Sequence, residues 1–347
     1  MSSNPLPANS SRLGGCTLTG AISVTSHIRD AVTIVHGPKG CSHHNVSLLH
    51  ASWLDNDHAV LPDLLSTGLS ETEVIFGGEE ALRRAINNAA GQKGVQAVFV
   101  LSTCIVDTIG DDVSAVCSEE CGVPVIPVPS AGFLGGTFQD GVNNALIALA
   151  GTIVPCTRSG GINIIGEMNL EYEVEENYRE IERLISLLDL QVNLRFVHDI
   201  TYDQFSKLGA AQLNILRSPA LVPVGEYLKK RFGTPCIASF PHGLSGTLSF
   251  ILAVAASCGI DGHAAASGES GQQEEMLSLF SDLRHNPVSL DGSLSGEDEV
   301  LAAEELADAL ELRRGTSEKC ARLPVSASVG TAGTKRMLHR WRRTIHA

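Results

Sequence analysis

A chain of 347 residues, 43% hydrophobic, 18% charged and only 5% aromatic, has the apolar mass for a sizeable core and fits two domains or one large one. Its net charge of −14 argues against general nucleic-acid binding, which needs basic surface against phosphate. Residues 1–14 (MSSNPLPANSSRLG) are polar and predict a disordered start without a signal-peptide core, and no apolar run reaches the ~18 residues of a membrane helix.

From Thr17 the pattern alternates helix-like and strand-like pieces. Thr17–Asp30 predicts a helix, Ala31–His36 (AVTIVH) a buried strand, and GPKGC a turn after it. Glu73–Phe76 predicts a short strand, and Glu79–Ala90 an amphipathic helix with Leu82, Ala85, Ile86 and Ala89 on one face. Then come the strand Val95–Leu101, a helix over Ile109–Cys121, the strand Val123–Val128 and the helix Gln139–Gly151. A second round follows Thr157–Gly161: strand Ile162–Ile165, helix Val174–Leu188, strands Gln191–Val197 and Gln212–Leu216, helix Leu221–Phe232 and strand Pro235–Phe240. Strands alternating with helices of this length predict an α/β fold of two doubly wound, Rossmann-like parallel-sheet units.

The remainder differs in composition. Residues 259–295 are rich in Gly, Ser, Ala and Asp and predict loose order. Gly296–Arg314 predicts a helix, with Glu297, Asp298 and Glu299 in its first turn and Arg313 and Arg314 in its last, the order that suits the helix dipole. From Arg313 onward lie nine of the 25 Lys and Arg residues and one of the 39 acids, so the tail is locally basic. The expected division is a disordered N-terminus (1–14), a first α/β domain (15–158), a second (159–258) and an irregular, partly helical C-terminal extension (259–347).

Nine cysteines without a secretory signal predict a reducing cytoplasm, where cysteine serves as metal ligand, nucleophile or core residue. Cys16 follows Gly15 just before a predicted helix, Cys41 follows Gly40 in the turn after a buried strand, and Cys104 ends VFVLSTC. Ligands of doubly wound sheets bind beyond the carboxyl ends of strands, where a helix N-terminus also favours thiolate. Gly15 and Gly40 would let backbone approach a bulky cofactor. Iron–sulfur clusters usually take four thiolates, so three per chain leaves a shortfall that a symmetric partner could fill. The other reading is that these are small buried hydrophobes, and spacing without a CxxC pair does not choose between them.

Six ordered blocks carry a resemblance: Gly15–Ser42, Ser66–Ile86, Ser102–Val116, Val123–Phe133, Ile162–Asn169 and Lys229–Gly243. Together they resemble the nitrogenase component 1 family, which includes the scaffold proteins that build the nitrogenase cofactor; GCTLTGA and INIIGEMN look nearest to that scaffold branch. The resemblance implies that Cys16, Cys41 and Cys104 bind a [4Fe-4S] cluster, or a larger P-cluster-like one, at a subunit interface. It implies electrons from an ATP-hydrolysing P-loop iron protein, and a homodimer or a homologous second subunit. The acidic charge and the lack of a long apolar run predict no nucleic-acid or membrane partner. The chain departs from the family where catalytic and scaffold subunits carry a cofactor-holding cysteine, since the nearest position is Arg217, and the family's third unit has no recognisable counterpart after Gly259.

Other residues read more plainly. Cys117 and Cys121 read as core on one helix face, as do Cys156, Cys236 and Cys258, with Cys320 exposed in the tail. His43 and His44 read as solvated loop residues. His36 reads equally as a partner to a cluster ligand or as a structural histidine. Lys39 could meet a docking partner or balance cluster charge. Asp107, Asp111 and Asp112 could donate protons, though the last two fit the first turn of their helix better. GPKG lacks the length and the Lys-Ser/Thr pair of a phosphate loop, so ATP dependence would come from a partner. The leading expectation is an electron-accepting oxidoreductase subunit. The alternative is a non-catalytic scaffold for metal–sulfur cofactor assembly, and a third reading is a truncated, inactive product.

Overall fold

The computed structural model describes residues 15–55, 63–133, 136–155, 157–167, 169–170, 173–292, 296–315 and 320–347. The expected disorder of residues 1–14, and Cys156, lie outside the described residues. The chain divides into two compact units, Met1–Val174 with Asn193–Cys236, and Glu175–Val192 with Ile237–Ala347. The boundary expected at 158/159 falls within the first unit, and that at 258/259 within the second.

The first unit begins with α1 (Thr17–Thr25), β1 (Ala31–His36), α2 (Lys39–Asp55), β2 (Leu64–Ser66), α3 (Glu71–Phe76), α4 (Glu79–Ala90), β3 (Ala97–Ser102), α5 (Cys104–Ile109), α6 (Val113–Cys117), β4 (Val125–Val128) and α7 (Phe138–Gly151). Its first sheet has the order β2-β1-β3-β4, parallel throughout. Every residue of β1 and β3 is buried, as strands covered on both faces must be. Val32, Ile34, Val98 and Val100 pack against Leu82 and Ile86 of α4 on one face. Val35, Phe99 and Leu101 join Leu18, Ile22 and Leu146 of α1 and α7 on the other. That split follows from the two-residue alternation of strand side chains. All nine residues of α1 are buried, so this helix is an internal layer and carries no polar face.

The second sheet, order β6-β5-β7-β8, is built from β5 (Ile162–Ile165), β6 (Val192–Phe196), β7 (Leu213–Leu216) and β8 (Cys236–Ile237), with β5 and β7 parallel. Helix α8 (Val174–Ser186) precedes β6, and α9 (Val222–Phe232) precedes β8. The main core continues through Ile165, Phe196, Leu216, Val224 and Leu228.

The second unit adds α10 (Gly243–Cys258), α11 (His263–Ser278), β9 (Pro287–Asp291), α12 (Glu297–Ala309), β10 (Arg313–Arg314), β11 (Ala321–Pro324) and α13 (Gly330–Ile345). Its sheet, β10-β9-β11, is parallel, and its core gathers Phe280, Leu283, Val288, Leu306, Leu323, Leu338 and Trp341. Trp341 donates its indole N–H to the Pro324 carbonyl at 2.9 Å. Among the described residues no helix is long and apolar enough to cross a membrane.

Several local expectations change. Glu73–Phe76 is part of α3, because Ser70 and Glu73 form a reciprocal capping box that starts a helix ahead of the apolar run. The single helix expected over Ile109–Cys121 is broken by Gly110 in a left-handed conformation, and Asp112 recaps the chain into α6. The loosely ordered stretch contains α11, which buries Ala266, Glu269, Gln273 and Met276 despite its Gly and Ser content. Arg313 and Arg314 form β10 beside β9 and do not extend α12, which stops at Ala309. The C-terminal extension is therefore a small parallel α/β layer, more regular than its composition predicts.

Candidate metal centre

Cys41 and Cys104 reach one sheet edge because β1 and β3 are adjacent and parallel, with His36 opposite Ser102 in the last register pair. Beyond it each strand turns into a helix. Gly37 adopts φ +155°, and a Cβ there would lie 2.1 Å from Thr103 Oγ1, so the two strand ends close on each other only because position 37 lacks a side chain. Thr103 N–H donates to the His36 carbonyl at 3.1 Å. Cys41 is then the third residue of α2 and Cys104 the first of α5. Cys16 arrives from another direction. It is the extended residue preceding α1, accepts the Gly20 N–H at its carbonyl (3.1 Å), and forms an antiparallel bridge with Thr137 at the start of α7.

Burial pushes the Cys41 thiol up, and the charges of Cys16 and Cys104 add to that shift. Cys16 is exposed, while Cys41 and Cys104 are half-buried. Each lies at the start of a helix, where the first backbone N–H groups have no intrahelical partner. The hydroxyls of Thr17 and Thr103, chain neighbours of Cys16 and Cys104, are buried without a hydrogen-bond partner. A Cβ on Gly40 would meet nothing within 4 Å, so the backbone beside Cys41 is open to approach. Gly15 is tighter: a Cβ there would lie 2.6 Å from Thr19 Cβ. Among the described residues no group of three or more His, Cys, Asp or Glu is arranged around a single metal ion.

The neighbouring candidates separate clearly. Cys117 is buried, and burial pushes its thiol up to about 12, with Cys121 adding to the shift; both pack in the core beneath α4, with Cys121 beyond the end of α6. Cys236 packs beside β7 and donates to the Gly225 carbonyl at 3.2 Å. Cys320 is half-buried, where the sequence predicts exposure. His43 and His44 lie on the exposed face of α2, not in a loop. Lys39 packs its chain over Gly68 and keeps an exposed position. Asp111 does not head a helix. It meets His36, with Nε2 to Oδ2 at 3.1 Å and side-chain exposures of 0% and 2%. Nothing in the sequence pairs these two residues, because the contact spans 75 positions.

A second polar cluster lines the carboxyl ends of β5, β6 and β7. Glu167 pairs with Arg195 at 3.2 Å, His198 Nδ1 lies 2.5 Å from Asn169 Oδ1, and the His27 and His198 rings stack at 4.8 Å. Arg217 is buried just after β7.

Residues 16–287 match the profile of "Nitrogenase component 1 type Oxidoreductase". The chain belongs to the nitrogenase component 1 family. It is 34% identical to the "Nitrogenase iron-molybdenum cofactor biosynthesis protein NifE" of Clostridium pasteurianum over 69% of this chain and 53% of that protein. It is 29% identical to the "Nitrogenase molybdenum-iron protein alpha chain" of Methanococcus maripaludis over 64% and 50%. The solved structure "Nitrogenase Cp1 at pH 5" shares the fold at a TM-score of 0.68 and 23% identity, covering 90% of this chain and 65% of its own. The chain spans about half the length of the curated relatives it matches. These component 1 relatives match the α/β architecture expected from the strand–helix alternation.

Proposed function

We propose that this chain is a cofactor-assembly scaffold of the nitrogenase component 1 family, holding an iron–sulfur cluster through Cys16, Cys41 and Cys104. The observation that carries this reading is the placement of Cys41 and Cys104 just beyond the ends of the adjacent, in-register strands β1 and β3, with Cys16, Cys41 and Cys104 each at the start of a helix. The donor chemistry fits an iron–sulfur cluster, since thiolates are its standard ligands and each binds a different iron, so they need not converge on one point. Helix N-termini offset the negative charge of such a group. The buried hydroxyls of Thr17 and Thr103 supply unused donors beside two of the ligands. When bound, the cluster supplies one-electron redox capacity, or travels on as cargo for a finished cofactor.

Three thiolates fall short of the usual four, and a second copy or a homologous subunit would complete the set. Exposed apolar side chains near the site support a covering partner: Val46 (41% exposed), Ile75 (73%), Phe76 (83%) and Ile105 (38%). The scaffold reading is favoured over the reductase reading because the relative at 34% identity is itself named as a cofactor biosynthesis protein. One observation counts against the scaffold and keeps the reductase reading: Arg217 stands, buried, nearest to where the family resemblance places a cofactor-holding cysteine. That reading takes electrons from an ATP-dependent P-loop iron protein.

The test is iron and acid-labile sulfide on oxygen-free protein, in wild type and in Cys16→Ala, Cys41→Ala and Cys104→Ala. Loss of about four or more irons per dimer in each variant is the expected result. Transfer of the loaded cluster to a cofactor-free acceptor, without ATP-dependent turnover, supports the scaffold. Turnover with an iron protein and ATP supports the reductase, and an iron-free wild type that folds defeats both.

A further inference from the structure

His36 ends β1 ahead of the turn that carries Cys41, and Asp111 follows the short helix that begins with Cys104. Their side chains meet at 3.1 Å in a closed environment. His36 Nδ1 lies 3.0 Å from Thr67 Oγ1, and the same oxygen accepts the Gly37 N–H at 2.9 Å. Asp111 accepts the Gly78 N–H at 3.0 Å. With the Thr67 hydroxyl donating to Nδ1 and Nε2–H donating to Asp111, a neutral imidazole satisfies every group of this chain. A Cβ on Gly78 would lie 2.8 Å from Asp111 Oδ2 and 3.0 Å from His36 Cε1, so backbone seals the pair from above. Every contact of this network bears on the turn before Cys41 or on the segment after Cys104.

We propose that His36 and Asp111 are a positioning pair that sets the separation of the Cys41 and Cys104 thiolates. The proposal rests on the cluster reading above. A polynuclear cluster fixes where each thiolate must lie, and a mismatch of about 0.5 Å is enough to spoil a site. The two helices of these cysteines start from neighbouring strands, and this buried hydrogen-bond chain joins the segments around them. Burial holds the imidazole below its ordinary value against the opposing charge of Asp111, with Glu73 and Glu79 the further acids acting on it. A neutral imidazole donating to the carboxylate is the form that burial favours.

The test uses the full chain under reducing, oxygen-free conditions, in wild type, His36→Gln, Asp111→Asn and the double variant. In metal-free protein, N-ethylmaleimide labelling is followed site by site with mass spectrometry. The variants are expected to label faster at Cys41 and Cys104 together, by about tenfold, because a buried hydrogen-bonded pair has been opened. Cys117 and Cys236 should keep their wild-type rates. The double variant should show no more acceleration than either single one, as expected of residues acting as one unit. After reconstitution, lower iron uptake and a changed EPR line shape should accompany the faster labelling. Unchanged rates at Cys41 and Cys104 overturn the proposal. Equal acceleration at Cys117 and Cys236 also overturns it, since that marks general loosening. Should His36→Gln not fold, Asp111→Asn carries the same comparison with the side-chain size retained. A wild type that takes up no iron defeats the cluster reading separately, and the labelling rates then decide alone whether the pair spaces the two cysteines.

Discussion

Gly20 of α1 and Gly141 of α7 mark a backbone-to-backbone crossing. A Cβ on Gly20 would lie 1.9 Å from the Phe138 carbonyl oxygen, and one on Gly141 the same distance from that of Thr17. Real Cβ atoms do not approach so closely, so both positions admit glycine alone at this separation. The crossing holds α1 against α7, and with it the Cys16–Thr137 bridge that fixes where Cys16 stands.

Gly141→Ala is therefore expected to push α1 away from α7 and to cost about 1–3 kcal/mol, the range for overpacked cores. Urea unfolding measures the cost. The same variant should take up less iron, because Cys16 moves with α1. A stability and iron content equal to wild type would show that the crossing relaxes freely.

Arg183 lies between two buried carboxylates in the second unit, 2.8 Å from Glu180 and 2.6 Å from Glu269, whose side chains are 4% and 0% exposed. Arg183→Ala removes the cation between the two acids and leaves them only the Thr331 hydroxyl and the Ala332 N–H, which costs about 3–5 kcal/mol where a buried pair is broken, less here because the guanidinium is partly solvated and these donors remain. Glu269→Ala leaves the arginine its Glu180 partner and should cost less. The order of the two unfolding midpoints checks this, and acid should restore part of the Arg183→Ala loss by protonating the stranded carboxylates.

Cys117 makes the fold sensitive to alkali. Its thiol is pushed up to about 12 by burial, so the folded state holds the proton more tightly than the unfolded chain, whose thiol titrates near 8.5. The folded form binds more protons above that pH, so stability falls as pH rises from about 8.5 toward 12. Cys117→Ala should flatten this limb in thermal melts taken across alkaline pH. An unchanged slope would assign the loss to other groups.

His36 acts at the opposite end. Its folded value is depressed, chiefly by burial, so the unfolded chain binds the extra proton first. Its contribution is present above the unfolded value of about 6.5 and is lost as pH falls below it. The acid limb of stability in His36→Gln should be shallower than in wild type as pH falls below about 6.5.

Phe76 is 83% exposed at the end of α3. Phe76→Asp should leave the melting temperature of the single chain unchanged, since nothing buried is disturbed. Sedimentation should show weaker association with a second copy or a homologous subunit. Unaltered association would move the interface away from α3.

Much of the architecture was legible because its elements carry strong local signals. The buried run AVTIVH forms β1, INII forms β5, and the apolar stripe of Leu82 and Ile86 forms α4. The misread pieces are those where a weak local pattern yields to a distant partner. Arg313 and Arg314 read as the end of a helix, but hydrogen bonds to β9 make them a strand. The Gly and Ser of α11 read as loose chain, but Ala266, Gln273 and Met276 are buried in the second unit. Glu73 is the converse, a capping signal outweighed in the reading by the apolar residues after it.

The identities of Cys16, Cys41 and Cys104, their flanking glycines and the alternation of strand and helix were written in the residues themselves, because each depends on neighbours a few positions away. Their placement in space was not. It depends on β1 and β3 pairing in one register and on α1 touching α7 through bare glycine backbone. The partnership of His36 with Asp111 likewise exists only once two segments 75 residues apart are folded against each other. Local propensity acts within a turn or a strand, whereas register and close packing are set by the whole core, and it is the core that brings Cys41 and Cys104 to the ends of neighbouring strands.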